Sequence, residues 1–174
     1  MKICLQCRRT FEQQAWTCPT CGYSPPFRNG YLSFAPELAA KSKGFDAHAF
    51  PILAKLEAQN FWFRSRNRLI INTIKHYFPQ AQTFLEIGCG TGFVLQGIEK
   101  AIPHLACSGS EIFSTGLEFA SQRLLDTNLF QMDAQNIPFS EEFSVIGAFD
   151  VLEHIQEDRA VLQEMYNSLQ IGGG

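Results

Sequence analysis

Apolar and polar positions in the second half of the chain form short apolar runs that are separated by longer, mixed segments. The mixed segments repeat apolar residues at helical spacing over residues 93–100 and 161–169. Short strands that alternate with helices are typical of a parallel sheet whose faces are covered by helices. The pattern therefore predicts an α/β fold. Its strands are predicted over residues 84–85, 105–110, 129–132 and 143–149.

The first strand leads into a glycine-rich turn, Glu86-Ile87-Gly88-Cys89-Gly90-Thr91-Gly92. Glycines at alternate positions let the backbone turn tightly and let a ligand approach the main chain, while the next helix presents free N–H groups. The dinucleotide fingerprint G-x-G-x-x-G requires its third glycine where Phe93 stands. Glu86 would also repel a pyrophosphate, whereas it suits a ligand with an ammonium group and no phosphate. The turn therefore predicts a site for a small molecule.

Acidic residues stand at the ends of the second and third predicted strands. Glu111 follows the second strand and lies 23 residues after Gly88. That separation is close to the roughly 20 residues at which an acid meets ribose hydroxyls in doubly wound folds. Asp133 follows the third strand in the same way. A single acid at a strand end is usually only solvated, but an acid at each of the first three strands favours one shared ligand site.

The glycine turn and these acids resemble motif I and the strand-end acids of class I S-adenosylmethionine-dependent methyltransferases, with acid-x-Gly-x-Gly-x-Gly intact. The resemblance implies a Rossmann-like doubly wound sheet with S-adenosylmethionine as the cofactor. It also implies that Glu111 binds both ribose hydroxyls, Ile112 packs on the adenine, and Asp133 accepts a hydrogen bond from the adenine amino group. The cofactor-binding residues that it implies are Glu86, Gly88, Cys89, Gly90, Thr91, Gly92, Glu111, Ile112, Asp133, Ala134 and Phe149.

A further group of ionisable residues follows the fourth strand: Asp150, Glu153, His154 and Asp158. Their spacings of three and four would place the side chains on one side of a helix. The set is similar to the divalent-metal cluster of some small-molecule and RNA O-methyltransferases. Related enzymes with a Glu-His pair here use no metal, and His154 then points into the acceptor cleft or forms a structural hydrogen bond. Both alternatives stay open, and His154 is the candidate catalytic base.

Two C-x-x-C knuckles near the start of the chain are separated by ten residues, an arrangement close to that of zinc ribbons. Disulfides are the competing interpretation. The first residues do not form a secretory leader, which favours a reducing, cytoplasmic location and zinc over disulfides. The predicted ligands of one structural Zn²⁺ are Cys4, Cys7, Cys18 and Cys21. Cys89 and Cys107 are predicted to be small packing residues.

Composition limits the function classes further. The chain has 174 residues, 45% hydrophobic and 18% charged, as expected of one globular domain with a small accessory module. No stretch approaches the ~20 apolar residues that span a bilayer. Residues 1–30 carry a net charge of +3. One Zn²⁺ with four thiolates has a net charge of −2, which would leave these residues near +1. The remaining basic patch is weak support for a nucleic-acid partner.

The sequence suggests three parts: a zinc ribbon-like module over residues 1–30, a linker and helical cap over 31–82, and the first part of a class I methyltransferase domain over 83–174. In the linker, Ala35-Pro36, Lys43-Gly44 and Phe50-Pro51 predict irregular structure until a helical segment begins.

A longer helix is predicted over residues 60–78 and is stopped by Pro79. Arg66 lies on its apolar row. This arginine either packs its stem along the core with its charge in water, or covers the pocket, as the resemblance to zinc-ribbon-bearing methyltransferases implies.

The class I fold has seven strands in the order 3-2-1-4-5-7-6, of which the sequence places the first four. We therefore expect a truncated fragment in which the fourth strand is an open edge that favours self-association. We also expect that this chain alone does not catalyse methyl transfer. The predicted function is methyl transfer from S-adenosylmethionine to an unidentified acceptor. The alternatives are an enzyme like the ribosomal-RNA guanine methyltransferases and a non-catalytic zinc-ribbon binding module.

Overall fold

The computed structural model describes residues 1–40 and 45–174. Lys43-Gly44 of the predicted linker lies outside the described residues. The strands are β1 (Lys2–Ile3), β2 (Thr10–Phe11), β3 (Phe27–Arg28), β4 (Tyr31–Ser33), β5 (Thr83–Ile87), β6 (Ala106–Glu111), β7 (Asn128–Gln131) and β8 (Val145–Ala148). The helices are α1 (Phe50–Leu56), α2 (Phe61–Tyr77), α3 (Phe93–Ala101), α4 (Ser114–Arg123) and α5 (Asp158–Ser168), with single 3-10 turns at Ala47–Ala49 and Leu152–His154.

The central sheet has the strand order β3-β4-β7-β6-β5-β8. Strands β7, β6, β5 and β8 are parallel neighbours. These are the four strands that the apolar runs predict, and their order is third, second, first, fourth. The α/β class and the Rossmann-like doubly wound arrangement are therefore confirmed.

Strands β3 and β4 extend this sheet from within the N-terminal part of the chain. Strand β4 is parallel to β7, and β3 is antiparallel to β4. The sequence did not predict them, because strands of two or three residues are too short to show an apolar alternation. The division of the chain at residues 30 and 82 stays a prediction.

The core forms on both faces of β5, where Phe84, Leu85 and Ile87 are fully buried. On one face α3 packs through its apolar stripe, which includes Leu95 and Ile98.

The predicted helix over residues 60–78 is confirmed as α2. Its first turn is capped by Asn60, whose Oδ1 accepts a hydrogen bond from the Trp62 N–H at 2.9 Å. Within the described residues, no helix combines the length and apolar character that a bilayer crossing requires.

The cysteine-bearing hairpin of β1 and β2 packs directly on the other face of the sheet. Trp16 is the main contact, with its ring centroid 4.7 Å from that of Phe34 and 5.5 Å from that of Phe139. A backbone hydrogen bond of 2.9 Å joins the Ile3 N–H to the Pro138 carbonyl. The cysteine module and the sheet therefore share an aromatic core.

The outer side of β8 is partly covered. Residues after α5 run beside it, where the Ile146 N–H donates to the Gly174 carbonyl at 3.0 Å and the Gly174 N–H donates to the Ser144 carbonyl at 3.2 Å. Phe143 and Leu169 also form a parallel bridge. The expected fully open edge is therefore only partly present in the part of the chain that the structure describes.

Candidate functional site

A cavity of about 770 Å³ opens at the carboxyl ends of β5, β6 and β8. Strand β5 lies between β6 and β8, so the cavity lies where the strand order reverses, which is the usual ligand crevice of doubly wound sheets. Helices α1 and α2 supply its roof through residues that include Phe50 and Phe63. Of the predicted cofactor residues, those that line the cavity are Glu86, Gly88, Cys89, Gly90, Thr91, Glu111, Ile112, Asp133, Ala134 and Phe149.

The glycine turn adopts backbone conformations that favour glycine. Gly88, Gly90 and Gly92 have φ values of 68°, 53° and 74°. A Cβ on Gly92 would lie 2.9 Å from Leu124 Cδ1, and Gly92 is not among the residues that line the cavity. Gly92 therefore lets α3 pack against α4, while Gly88 and Gly90 form the wall of the cavity.

Glu86 is buried near the end of β5 and is among the residues that line the cavity. Its Oε2 has no hydrogen-bond partner among the described residues. Burial raises the pKa of Glu86 to about 8 from its ordinary value of 4.5, against the opposing effect of the Arg66 charge. A buried carboxylate without a partner favours a cationic ligand group, because that group would restore the charged form.

Glu111 is held in place by the backbone around it. Its Oε2 accepts a hydrogen bond from the Gly90 N–H, and its Oε1 accepts one from the Phe113 N–H, both at 3.1 Å. Each carboxylate oxygen can accept a second bond, so the side chain remains able to bind two hydroxyl groups. Burial raises the pKa of Glu111 despite these two bonds.

Asp133 and Cys89 are more constrained than the sequence suggested. The Asp133 carboxylate caps its own loop, accepting hydrogen bonds from the Gln135 N–H at 3.0 Å and from Asn136 Nδ2 at 2.9 Å.

Cys89 is buried, and burial raises the pKa of its thiol well above the ordinary value. Burial also raises the pKa of the Cys107 thiol, to about 12. Both cysteines are therefore packing residues rather than thiolate nucleophiles.

The ionisable residues after β8 do not form a metal cluster. Asp150 contacts Arg66 across the cavity mouth. Within the described ranges, the four N-terminal cysteines are the one group of three or more potential metal ligands whose ligand atoms lie close together. His154 lines the mouth, where its ring lies 6.0 Å from that of Phe45. The role of His154 stays a prediction.

Arg66 is among the residues that line the cavity. Its side chain is 20% exposed and its guanidinium lies 5.5 Å from the Phe63 ring. Its Nε is buried without a hydrogen-bond partner among the described residues. The signal in the sequence was its place on the apolar row of α2.

A largely buried ion pair that the sequence did not reveal joins the end of α1 to α4, and both of its members bond to Thr91 of the glycine turn. Glu57 accepts hydrogen bonds of 2.7 Å from the Thr91 hydroxyl and from Arg123 Nη1. Arg123 Nη1 also donates to Thr91 Oγ1 at 2.9 Å. We call Glu57, Thr91 and Arg123 the clasp. Its members are far apart in the sequence, so no local spacing indicates it.

The four N-terminal sulfurs lie within 4.8 Å of one another. The Cys4 and Cys21 sulfurs are 3.6 Å apart, as are those of Cys7 and Cys18. Ligands at about 2.3 Å around a tetrahedral Zn²⁺ are separated by about 3.8 Å, so the sulfurs fit such an ion. All four cysteines are free thiols in the structure.

Sequence comparisons agree with this site. Residues 84–173, just over half of the chain, match the model of a family described as the methyltransferase domain. The malonyl-[acyl-carrier protein] O-methyltransferase of Priestia megaterium is 24% identical over 134 residues, which cover 75% of this chain and 47% of that protein. The demethylmenaquinone methyltransferase of Thermotoga maritima is 32% identical over 90 residues, which cover 51% of this chain and 39% of that protein. The chain spans less than half the length of either relative.

A solved structure shows the same fold. A protein of Methanococcus maripaludis, described as a candidate S-adenosyl-L-methionine-dependent methyltransferase, aligns with a TM-score of 0.67 and 19% identity. The alignment covers 76% of this chain and 63% of that one. The resemblance that the glycine turn indicated is confirmed, and the chain belongs to the methyltransferase domain family.

Proposed function

We propose that this protein binds S-adenosylmethionine in the cavity and transfers its methyl group to an acceptor that enters at the mouth. The observation that carries the proposal is the buried Glu86, a residue of the cavity lining whose carboxylate has an oxygen without a partner among the described residues. An ammonium group of a ligand would supply that partner. The adjoining glycine turn lets such a ligand approach the main chain closely.

The charges around the cavity support this cofactor over a dinucleotide. Carboxylates predominate on the described lining, and they belong to Glu57, Glu86, Glu111, Asp133 and Asp150. Arg66 opposes them but is already paired with Asp150. S-adenosylmethionine is a cation overall, whereas the pyrophosphate of a dinucleotide would be repelled by carboxylates in this poorly solvated site.

The residues have separate tasks in this proposal. Glu86 would bind the ammonium group and Glu111 the two ribose hydroxyls. Ile112 and Ala134 would pack on the adenine, with Asp133 as acceptor for its amino group. The cofactor supplies an electrophilic methyl group on a sulfonium.

The chain contributes alignment and the exclusion of water. Phe149 closes the inner wall, and the roof residues of α1 and α2 limit access from solvent. We assign to His154 the proton that the acceptor nucleophile releases, because this imidazole lines the mouth.

We also propose that Cys4, Cys7, Cys18 and Cys21 bind one structural Zn²⁺. Four thiolates complete a tetrahedral shell and leave no position for a reacting water. The support is the cluster of four sulfurs around one point. Elemental analysis of protein purified without added metal should find one zinc per chain, and metal-free protein with an ordered N-terminus would contradict this.

The cofactor proposal is tested by titration calorimetry on Glu111→Ala. Loss of a charged acceptor for two hydroxyls should weaken S-adenosylmethionine binding by about 1–3 kcal/mol. Glu118→Ala is the matched control, because Glu118 is exposed on α4. Equal affinities of wild type and Glu111→Ala would remove Glu111 from the site.

A further inference from the structure

Gln131, the last residue of β7, is completely buried although its side chain is polar. Its amide makes four hydrogen bonds. The Oε1 accepts from the Ser33 hydroxyl at 2.7 Å and from the Ala35 N–H at 3.1 Å. The Nε2 donates to the Ala35 carbonyl at 2.8 Å and to the Ile112 carbonyl at 3.0 Å. A glutamine amide has two donors and two acceptor positions, so every one of them is used.

One of these bonds ends on the wall of the cofactor cavity. Ile112 lines the cavity between Glu111 and Phe113, and the Phe113 N–H holds the Glu111 carboxylate. Without Gln131, the Ile112 carbonyl would lose the Nε2 donor that holds it. A peptide that shifts here would move both the surface proposed for the adenine and the carboxylate proposed for the ribose.

The other three bonds end on Ser33 and Ala35, which flank an aromatic residue of the sheet's core that contacts the cysteine module. Phe34 lies between them and packs on Trp16, with ring centroids 4.7 Å apart. Trp16 in turn packs against the cluster that Cys4, Cys18 and Phe11 form. A continuous path of packed and hydrogen-bonded groups therefore connects the thiols to the Ile112 carbonyl through a single amide.

We propose that Gln131 is a positioning residue that fixes the adenine side of the cofactor site and couples it to the order of the cysteine module. The inference rests on the proposed function. If the ordered cysteine knuckles raise affinity for the cofactor by some factor, thermodynamic linkage requires the cofactor to raise zinc affinity by the same factor.

The test uses Gln131→Met, which keeps the length of the side chain and removes all four hydrogen bonds. Calorimetry would measure binding of S-adenosylhomocysteine and of 5′-methylthioadenosine, which lacks the amino-acid end. We expect both affinities to fall at least tenfold in folded protein, since the defect lies at the adenosine end. The control is Gln163→Met, because the Gln163 amide bonds only to Asn167 on exposed α5 surface among the described residues.

Gln131→Glu covers the case in which Gln131→Met does not fold. Burial of the new carboxyl group favours its neutral form, which keeps both acceptor bonds but has one donor in place of two, so it cannot serve both the Ala35 and the Ile112 carbonyls. We expect it to weaken binding of both ligands, measured at a pH at which circular dichroism shows the variant to be folded. Unchanged affinities for both ligands in the folded variants would overturn the positioning role.

The link to the cysteine module is tested by zinc chelation. Wild type stripped of zinc should bind S-adenosylhomocysteine more weakly, and the ligand should strengthen zinc binding by the same factor. In the Gln131 variants the two equilibria should become independent. No effect of chelation on wild type would overturn the coupling.

Failure of wild type to bind S-adenosylhomocysteine at all would overturn the proposed function and this inference with it. Equal binding by wild type and the Gln131 variants would overturn only the inference.

Discussion

The clasp of Glu57, Thr91 and Arg123 predicts a large loss of stability when its cation is removed. The Glu57 and Arg123 side chains are only 8% and 15% exposed. Arg123→Met keeps most of the apolar stem and leaves the Glu57 carboxylate buried with the Thr91 hydroxyl as its one remaining donor among the described residues. Breaking a buried ion pair in this way costs about 3–5 kcal/mol, and the remaining hydroxyl bond favours the lower end. A loss of about 3 kcal/mol should lower the melting temperature by about 6–12 °C in a chain of this size.

Urea denaturation followed by circular dichroism would measure the free energy of unfolding of each variant. Arg159→Met is the matched control, because Arg159 is exposed in the first turn of α5 and its loss should change stability by less than about 0.5 kcal/mol. Adding Glu57→Gln to Arg123→Met removes the stranded charge, so the double variant should lose less than the sum of the single losses by at least about 1 kcal/mol. Additive losses, within about 0.5 kcal/mol, would refute the clasp as a coupled unit.

Two further predictions concern the cap and the cavity floor. Gly97→Ala should destabilise the protein by about 1–3 kcal/mol, because a Cβ on Gly97 of α3 would lie 2.4 Å from Asn67 Nδ2 of α2. In urea denaturation, adding Asn67→Ala to Gly97→Ala should recover part of this loss. An unchanged stability of Gly97→Ala would show that α2 does not pack on α3 as described. The raised pKa of Glu86, about 8 against 4.5, means that the folded state binds more protons than the unfolded state between these values. The free energy of unfolding should therefore decrease as pH rises from about 4.5 to about 8, and Glu86→Gln should flatten this slope; an identical pH profile in the variant would contradict the burial of a titrating carboxylate.

Local sequence patterns predicted those parts of the fold whose signal lies within a few residues. The apolar runs indicated β5 to β8, and the glycine turn indicated the cavity wall, because backbone conformation and close approach there require glycine. Cys-x-x-Cys spacing likewise indicated a cluster of sulfurs that the structure brings within 4.8 Å.

Features that depend on tertiary contact were not predictable in this way. Strands β3 and β4 are defined by pairing with β7 rather than by their own pattern. Gln131 had the appearance of an ordinary residue in a predicted strand, although its amide joins three separate segments of chain. The spacing from Asp150 to Asp158 predicted that these side chains share one side of a helix. They do not, because the backbone forms a 3-10 turn at Leu152–His154 and is extended at Ile155 before α5 begins.

The central claim is that the cavity is built for S-adenosylmethionine, and competition between ligands tests it most directly. Titration calorimetry of the purified chain should be carried out with S-adenosylmethionine, S-adenosylhomocysteine and NAD under the same conditions. The account predicts that both sulfur ligands bind at least tenfold more tightly than NAD, because the buried Glu86 favours an ammonium group and disfavours a pyrophosphate. Tighter binding of NAD than of either sulfur ligand would contradict it.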